Sequence, residues 1–355
     1  MKRIVNLLLA CFLLINLCGC AEIKNEQTTI PTVSEDAENT GHSFEVHYID
    51  VGQGDAALVL CDGMSMLIDG GKPQASSIIY TYLKNLNIVK LDYIICSHAD
   101  DDHIGGLSAP LSQITVENVI APETGTDTRS YKSFIEKIQA QNIDIKHPKP
   151  GDSLNFASST VKFFGPVTEK YDDLNNSSVV MKIIYGNTSF LFTGDAEREE
   201  EKEILDKEFD LSADVLKVGH HGSKNSTTYP FLRETMPKYA VISVGADNSY
   251  GHPTEDVLSR LRDVGAVVYR TDTQGDIIAE SDGKTVTIKS KKNEKQKSVD
   301  SVYIGNKNSK KFHLPSCPSL PKEENRIIFK TYEDAEQSGY VPCKKCSPQS
   351  FFKNS

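Results

Sequence analysis

The residues best equipped for chemistry sit in one short run, His98-Ala99-Asp100-Asp101-Asp102-His103-Ile104-Gly105-Gly106, directly after the apolar stretch Leu91 to Ser97. His98, Asp100, Asp102 and His103 offer imidazoles and carboxylates at H-x-D-x-D-H spacing. Ligands crowded at a strand end converge on one or two cations, while the glycines let the chain turn away. Imidazole and carboxylate suit zinc, and the additional carboxylate shifts the preference toward manganese. Two more apolar stretches end alike. Ser189 to Phe192 runs into Thr193-Gly194-Asp195, and Val215 to Val218 runs into Gly219-His220-His221-Gly222-Ser223. Three strand ends that each present a ligand type beside glycine argue for one shared site rather than three unrelated turns. Spacing alone leaves open which of His220 and His221 completes it.

A second cluster lies near the C-terminus, where His313-x-x-x-Cys317 is followed by Cys343-Lys344-Lys345-Cys346. Four such ligands in two short pairs suit a tetrahedral structural zinc better than a disulfide with a spare thiol. Lys307, Lys310, Lys311, Lys344 and Lys345 flank them, a local basic patch in a chain whose formal charge is −10. That net charge excludes a broadly basic nucleic-acid coat.

The elements that must position these groups are short. Phe44 to Val51, Ala56 to Cys61, Met64 to Asp69, Leu91 to Ser97, Val116 to Ala121, Val161 to Gly165, Val179 to Tyr185, Thr188 to Thr193, Ala213 to Val218, Tyr239 to Val244 and Thr285 to Lys289 are expected as strands, with a hairpin turn at Asp62-Gly63. Ser76 to Leu86, Ser130 to Gln141, Glu197 to Lys207 and Glu255 to Val264 carry apolar residues at helical spacing. Many strands with helices interspersed irregularly predict an α+β fold of two packed sheets covered by helices. Cys61 and Cys96 are expected as buried thiols, and His42, His47 and His147 as surface residues.

At the N-terminus, Lys2-Arg3 and an apolar run from Ile4 to Leu17 lead into Leu17-Cys18-Gly19-Cys20. The run falls short of the about 20 apolar residues of a membrane span and reads as a signal peptide. Its end resembles the lipobox of bacterial lipoproteins, which implies a diacylglyceryl group on Cys20 and an extracytoplasmic, membrane-anchored protein. Residues 21–43 are polar and expected to be a disordered tether. The domains expected are therefore a signal at 1–20, the tether, a catalytic domain at 44–290, a linker at 291–300 and a zinc module at 301–355.

The stretches Tyr48-Ile-Asp-Val-Gly-Gln-Gly-Asp-Ala56, Leu67-Ile-Asp-Gly-Gly71, Ser97-His-Ala-Asp-Asp-Asp-His-Ile-Gly-Gly106, Leu191-Phe-Thr-Gly-Asp195, Val218-Gly-His-His-Gly-Ser-Lys224 and Tyr250-Gly-His-Pro253 resemble the metallo-β-lactamase superfamily. More narrowly, they are similar to the extracellular metallohydrolase domain of ComEC competence proteins, which handle DNA during uptake. The resemblance covers residues 44 to 290 and implies an αββα sandwich with a hydrolytic metal site at one edge. His98 and Asp100 would serve one metal, Asp102 and His103 a second, with Asp195 bridging and His220 or His221 completing the site. Asp69 would be a supporting acid, and Asp55 and Gln53 would lie beside the site. The superfamily's usual second histidine is Asp100 here. Another, some twenty residues before the bridging acid, has no counterpart, because Asn175-Asn176-Ser177-Ser178 occupies that region. Residues 303 to 346 resemble the small zinc domain of the Ada repair protein, with His313 in place of one of its four cysteines.

The chemistry implied is metal-dependent hydrolysis of a phosphodiester, with nucleic acid as the expected substrate and DNA-uptake machinery as a possible partner. Asp102 would orient the attacking water, and His252 would protonate the leaving oxygen. Ser223, Lys224 and Asn176 would contact substrate. The rival expectations are a nucleic-acid-binding or assembly lipoprotein without turnover, and a hydrolase of another ester such as choline phosphate.

Overall fold

The computed structural model describes residues 43–291, 303–313, 317, 319–329 and 332–346. Cys20, His42, the leader and the tether lie outside the described residues. Among those described, no helix is long and apolar enough to cross a membrane.

The chain first lays down β1 (Phe44–Tyr48), β2 (Ala57–Cys61), β3 (Met64–Ile68), α1 (Ser76–Asn85), β4 (Lys90–Ile95), α2 (Asp101–Ile104), α3 (Ser108–Gln113), β5 (Thr115–Ile120), α4 (Arg129–Ala140) and β6 (Ile145–Lys146). It then builds β7 (Ser153–Phe156), β8 (Ser159–Phe163), β9 (Met181–Tyr185), β10 (Thr188–Phe192), α5 (Arg198–Leu205), β11 (Val215–Lys217), α6 (Tyr229–Thr235), β12 (Tyr239–Ile242), α7 (Glu255–Asp263), β13 (Val267–Arg270) and α8 (Thr271–Gln274). β14 (Ile277–Ser281) and β15 (Val286–Ser290) return to the first sheet, whose order is β15-β14-β1-β2-β3-β4-β5-β6. The second sheet runs β13-β12-β11-β10-β9-β8-β7.

Alternation along the strands sets the layers. Phe44, Val46 and Tyr48 of β1 pack with Met181, Ile183, Phe190 and Phe192 of the second sheet to form the core between the sheets. Ile79 and Leu83 of α1 and Phe134 and Ile138 of α4 cover the outer face of the first sheet, while Ile204, Phe231, Leu232, Val257 and Leu261 cover the second. This is the αββα sandwich. Each large side chain so buried contributes about 1.5–3 kcal/mol.

Within the sheets, β3, β4 and β5 are parallel, and so are β10, β11, β12 and β13. Parallel neighbours end on the same edge, so the ligand-bearing loops after β3, β4, β10 and β11 are delivered together.

Backbone hydrogen bonds stitch the motif loops to one another. Asp55 N donates to Asp102 O (3.1 Å), Gly71 N to Asp55 O (2.7 Å), Gly70 N to His103 O (2.6 Å) and Gly106 N to Gly71 O (2.8 Å). The glycines follow from this crowding: a Cβ on Gly106 would lie 1.8 Å from Gly70 O, and one on Gly54 would lie 2.4 Å from Asp102 O. Since backbone rather than a movable side chain is struck, Gly106→Ala should destabilise by at least ~3 kcal/mol, at or beyond the upper end for overpacked positions. Thermal unfolding of the purified variant, or its loss from the soluble fraction, checks this.

Some elements escape the sequence pattern. β7 has only two apolar residues, β6 is two residues long, β14 is a brief Ile-Ile-Ala run followed by polar residues, and α3 and α6 are helices of six and seven residues. His47 corrects the expectation of a surface residue. It is buried, with Nδ1 2.8 Å from the Tyr82 hydroxyl and Nε2 2.9 Å from Glu45. It faces the helical layer, where alternation alone would have placed a solvated side chain.

The C-terminal module holds a separate sheet of β16 (Tyr303–Asn306), β17 (Lys311–His313), β18 (Arg326–Phe329) and β19 (Val341–Pro342), in the order β18-β16-β17-β19, with α9 (Tyr332–Gln337). Its core consists of Tyr303, Phe312, Phe329, Ala335 and Tyr340.

Candidate metal centre

β4 delivers Ser97 and His98, and α2 immediately returns Asp102 and His103 to the same place. Asp69 leaves β3 in the left-handed region (φ 56°) and turns its carboxylate under this loop. It accepts from Ser97 N (2.8 Å), from the Ser97 hydroxyl (2.7 Å) and from His103 Nδ1 (2.9 Å). Because a carboxylate only accepts, the proton on His103 is fixed at Nδ1 and Nε2 faces away. The Ser97 hydroxyl, its hydrogen spent on Asp69, lies 3.1 Å from His98 Nδ1 and accepts from it.

His220 and His221 both adopt positive φ, 47° and 50°. For non-glycine residues this costs on the order of 1–3 kcal/mol each. The strain splays their rings, which stand 75° apart. His221 turns inward, buried, with Nδ1 donating to Ser243 O (3.0 Å) and lying 3.1 Å from Asp55. His220 turns to the mouth, with Nδ1 3.0 Å from Glu197.

Asp195, following β10, occupies the centre. Its Oδ2 lies 3.3 Å from His103 Nε2, 3.5 Å from His221 Nε2 and 3.7 Å from His220 Nε2. Asp102 reaches to 3.5 Å from His221 Nε2 with a side chain 22% exposed. His98, His103 and Asp195 form one group of ligand atoms within 4.8 Å of each other, and Asp102, His103 and His221 form another. Asp100 stands apart. Its side chain is 40% exposed and 3.7 Å from His98 Nε2, at the edge of the cluster.

The donor set fits a divalent cation. Nε2 of His98, His103 and His221 and Oδ1 of Asp195 are buried and lack a hydrogen-bond partner, a costly arrangement unless something binds them. Electrostatics agrees. Burial works to strip the proton from His221, but Asp195 and Asp55 overcome it and hold the imidazole up to about 10. His103 is held well above the usual histidine range by Asp195 and Asp69 against the same burial, while Asp195 and Asp102 are depressed below the carboxylate range by the neighbouring imidazoles despite theirs. Carboxylates that draw this much positive charge into a dry site suit a cation.

Several expected residues have other work. Asn176 is buried, and its Oδ1 accepts from Glu197 N (3.0 Å) and Glu200 N (3.4 Å), capping α5. Ser223 is buried, its hydroxyl accepting from Asn225 N at 3.3 Å within the turn. Lys224 is exposed on an adjoining cleft. Gln53 accepts from Gly245 N (3.2 Å), bracing the loop that leads to His252. His252 is pushed down to about 4 by burial and the charges of His220 and His221.

Lys217 is the residue that motif reading missed. Its ammonium is buried, donating to Asp55 Oδ2 (2.7 Å) and Val218 O (2.9 Å), and so fixes the carboxylate that faces His221. A lysine inside Val215-Leu-Lys-Val218, flanked on both sides by buried residues, was the available signal. Lys217→Met should cost about 3–5 kcal/mol of stability by stranding Asp55 and weaken metal retention about 10–100-fold. Thermal unfolding and chelator competition measure the two effects separately.

In the C-terminal module, His313, Cys317, Cys343 and Cys346 form a third ligand group of the same compactness. His313 Nδ1 lies 3.2 Å from Cys317 Sγ, and the Cys317 and Cys343 sulfurs are 3.9 Å apart and unbonded.

Comparison with known proteins agrees with both clusters. Residues 289–349 match the family described as the metal binding domain of Ada. Among curated proteins, ComE operon protein 3 of Bacillus subtilis is 33% identical over 251 residues, covering 66% of this chain and 32% of that protein. Competence protein ComA of Neisseria gonorrhoeae is 31% identical over 228 residues, covering 64% of this chain and 30% of that one. The chain thus spans about a third of the length of these relatives. Among solved structures, the metallo-beta-lactamase fold protein YhfI of Bacillus subtilis aligns with a TM-score of 0.46 at 14% identity, covering 67% of this chain and 100% of that one. Residues 49–246, more than half of the chain and all three ligand-bearing strand ends, match the metallo-beta-lactamase superfamily, and the chain belongs to it.

Proposed function

We propose that this protein is a lipid-anchored, extracytoplasmic metal-dependent phosphodiesterase whose substrate is nucleic acid, holding one or two zinc or manganese ions in the hydrolase site and a structural zinc in the C-terminal module. The observation that carries the reading is the convergence at one sheet edge of three imidazole nitrogens and a carboxylate oxygen that are buried without a hydrogen-bond partner. The competence proteins among its relatives support DNA as the substrate and an uptake apparatus as a partner, and the Leu-x-Gly-Cys20 ending supports the anchor.

A bound divalent ion would supply Lewis acidity and bring the pKa of water down to about 7. His98, His103, His221, Asp195 and Asp102 are the residues to hold it, with Asp69, Asp55 and Lys217 fixing their orientation. Asp102, the most exposed of the five, would orient the attacking water. Glu197 and Asp195 raise the pKa of His220 against its partial burial. A His220 that holds its proton in this way, as well as His252, would be a group to donate a proton to the leaving oxygen.

The test uses residues 21–355 with a single-stranded oligonucleotide and bis(4-nitrophenyl) phosphate. Both should be cleaved with added manganese or zinc, and Asp102→Ala should lower turnover about 10²–10⁴-fold. Undiminished turnover would remove Asp102 from the reaction. Salt-sensitive DNA binding without cleavage would favour the binding lipoprotein instead.

A further inference from the structure

One contact layer outside the metal centre, a surface cleft is lined by Arg198 at the start of α5, Lys224 in the loop after β11 and Arg260 on α7, together with Thr228, Ser259 and Asp256. The Arg198 guanidinium donates to the Lys224 carbonyl at 3.1 Å, and Arg260 donates to the same oxygen at 2.9 Å and to the carbonyls of Ser226 and Thr227 at 2.9 and 2.7 Å. Carbonyls position these cations without neutralising them. Partial burial lowers the pKa of Arg260, and the like charge of Arg198 adds to this against the opposing charges of Glu201 and Asp256. The nearby carboxylates are Asp256 and the buried Glu201, which accepts from Thr228 N at 2.9 Å. Three cations thus share one cleft in a chain whose formal charge is −10.

The cleft is tied to the metal centre through the chain. Arg198 follows Asp195 by three residues and Lys224 follows His221 by three, and three residues span at most ~11 Å. Glu197 joins the two segments, meeting His220 Nδ1 at 3.0 Å and Asn225 Nδ2 at 3.3 Å.

We propose that this cleft is a phosphate subsite for a single-stranded polynucleotide, holding a backbone phosphate one to three nucleotides from the diester being cut. The inference rests on the phosphodiesterase reading and adds where the rest of the strand is gripped. Guanidinium forks and an ammonium flanked by hydroxyls are the groups that recognise phosphate. Phosphates rise about 3.4 Å per nucleotide along each strand of a duplex and lie farther apart in an extended single strand, so the tethered reach covers only a few of them. A small aryl diester has no second phosphate to place there.

Arg198→Ala and Ser259→Asp test the inference separately, the first by removing a cation and the second by adding an anion. Each should raise KM for a single-stranded oligonucleotide roughly tenfold, as expected for losing a charge-assisted contact. Each should also make the slope of log affinity against log salt shallower by about 0.7, the value of one phosphate contact on a single strand. Kinetics on bis(4-nitrophenyl) phosphate should stay unchanged. Parallel changes on both substrates, or no change on either, would overturn the subsite. Should the wild-type protein cut neither substrate, the phosphodiesterase reading fails. Anisotropy of a labelled oligonucleotide then decides the cleft: weaker binding in both variants upholds it, and unaltered binding overturns it.

Discussion

Asp195→Asn should lower turnover by at least ~10³-fold, comparable to losing a general base, and strip the hydrolase site of most of its metal while the protein stays folded. Asp195 is the common neighbour of His103, His221 and His220, so no other single carboxylate neutralises as much of a cation's charge. The asparagine keeps the shape and can still accept from its surroundings. Metal content after gel filtration and phosphodiester turnover are the measurements. An Asn variant with wild-type metal content would displace Asp195 from the centre.

The same residue sets how binding responds to pH. Without a cation, the carboxylates keep His221 protonated up to about 10 and His103 protonated well beyond the usual imidazole range. Both protons must leave before Nε2 can bind a cation. A raised imidazole pKa favours the proton-loaded form at low pH, so metal affinity should climb between pH 6 and 9, by up to one log unit per pH unit for each proton released. In Asp195→Asn, which removes the leading carboxylate acting on both rings, the climb should be shallower. Chelator-competition titrations at several pH values read the slope, and a flat profile in the wild type would contradict the picture.

What the sequence made legible was the chemistry at strand ends. His98, Asp102, His103 and Asp195 stand out because ligand residues abut apolar runs and glycines, and that local pattern survives folding unchanged. The choice between His220 and His221 was not legible. It depends on two consecutive left-handed residues, a backbone state that no residue type there announces. The partners of Asn176, expected to contact substrate, were not legible for a related reason: they are the backbone amides at the start of α5, which lie about twenty residues away and are brought there by the pairing of β9 with β10. Lys217 and Glu197 act through Asp55 and His220, and side chains that act through another carry no motif of their own. The sandwich itself followed from many short apolar runs, while β6, β7 and β13, each at the end of its sheet, were lost because edge strands gain their stability from neighbours rather than composition.

Removing metal from the C-terminal module, by Cys343→Ser or by chelation, should unfold that module while leaving the hydrolase sandwich intact. The module's apolar core is a handful of aromatic side chains and Ala335, too few to offset the conformational entropy of ordering a segment this small. Zinc held by such a ligand set supplies about 10–16 kcal/mol at neutral pH, more than the whole stability of a typical domain of about 5–15 kcal/mol at its lower end. Geometry supports dependence on one shared ion. His313 ends β17, Cys317 follows, and Cys343 and Cys346 follow β19, so the four ligands tie both sides of the β17–β19 pairing together. The Cys343 thiol pKa is lowered by backbone amides of Lys345 and Cys346 despite burial, which favours the thiolate a metal needs. Limited proteolysis should show new cleavage confined to residues 303–346 in Cys343→Ser, with turnover of a small phosphodiester within a factor of about two of wild type if the modules are independent. Restored protection on adding zinc to the chelated wild type, but not to the variant, would tie the effect to the ion. Equal protease resistance with and without metal would instead show that the aromatic cluster alone holds the module together.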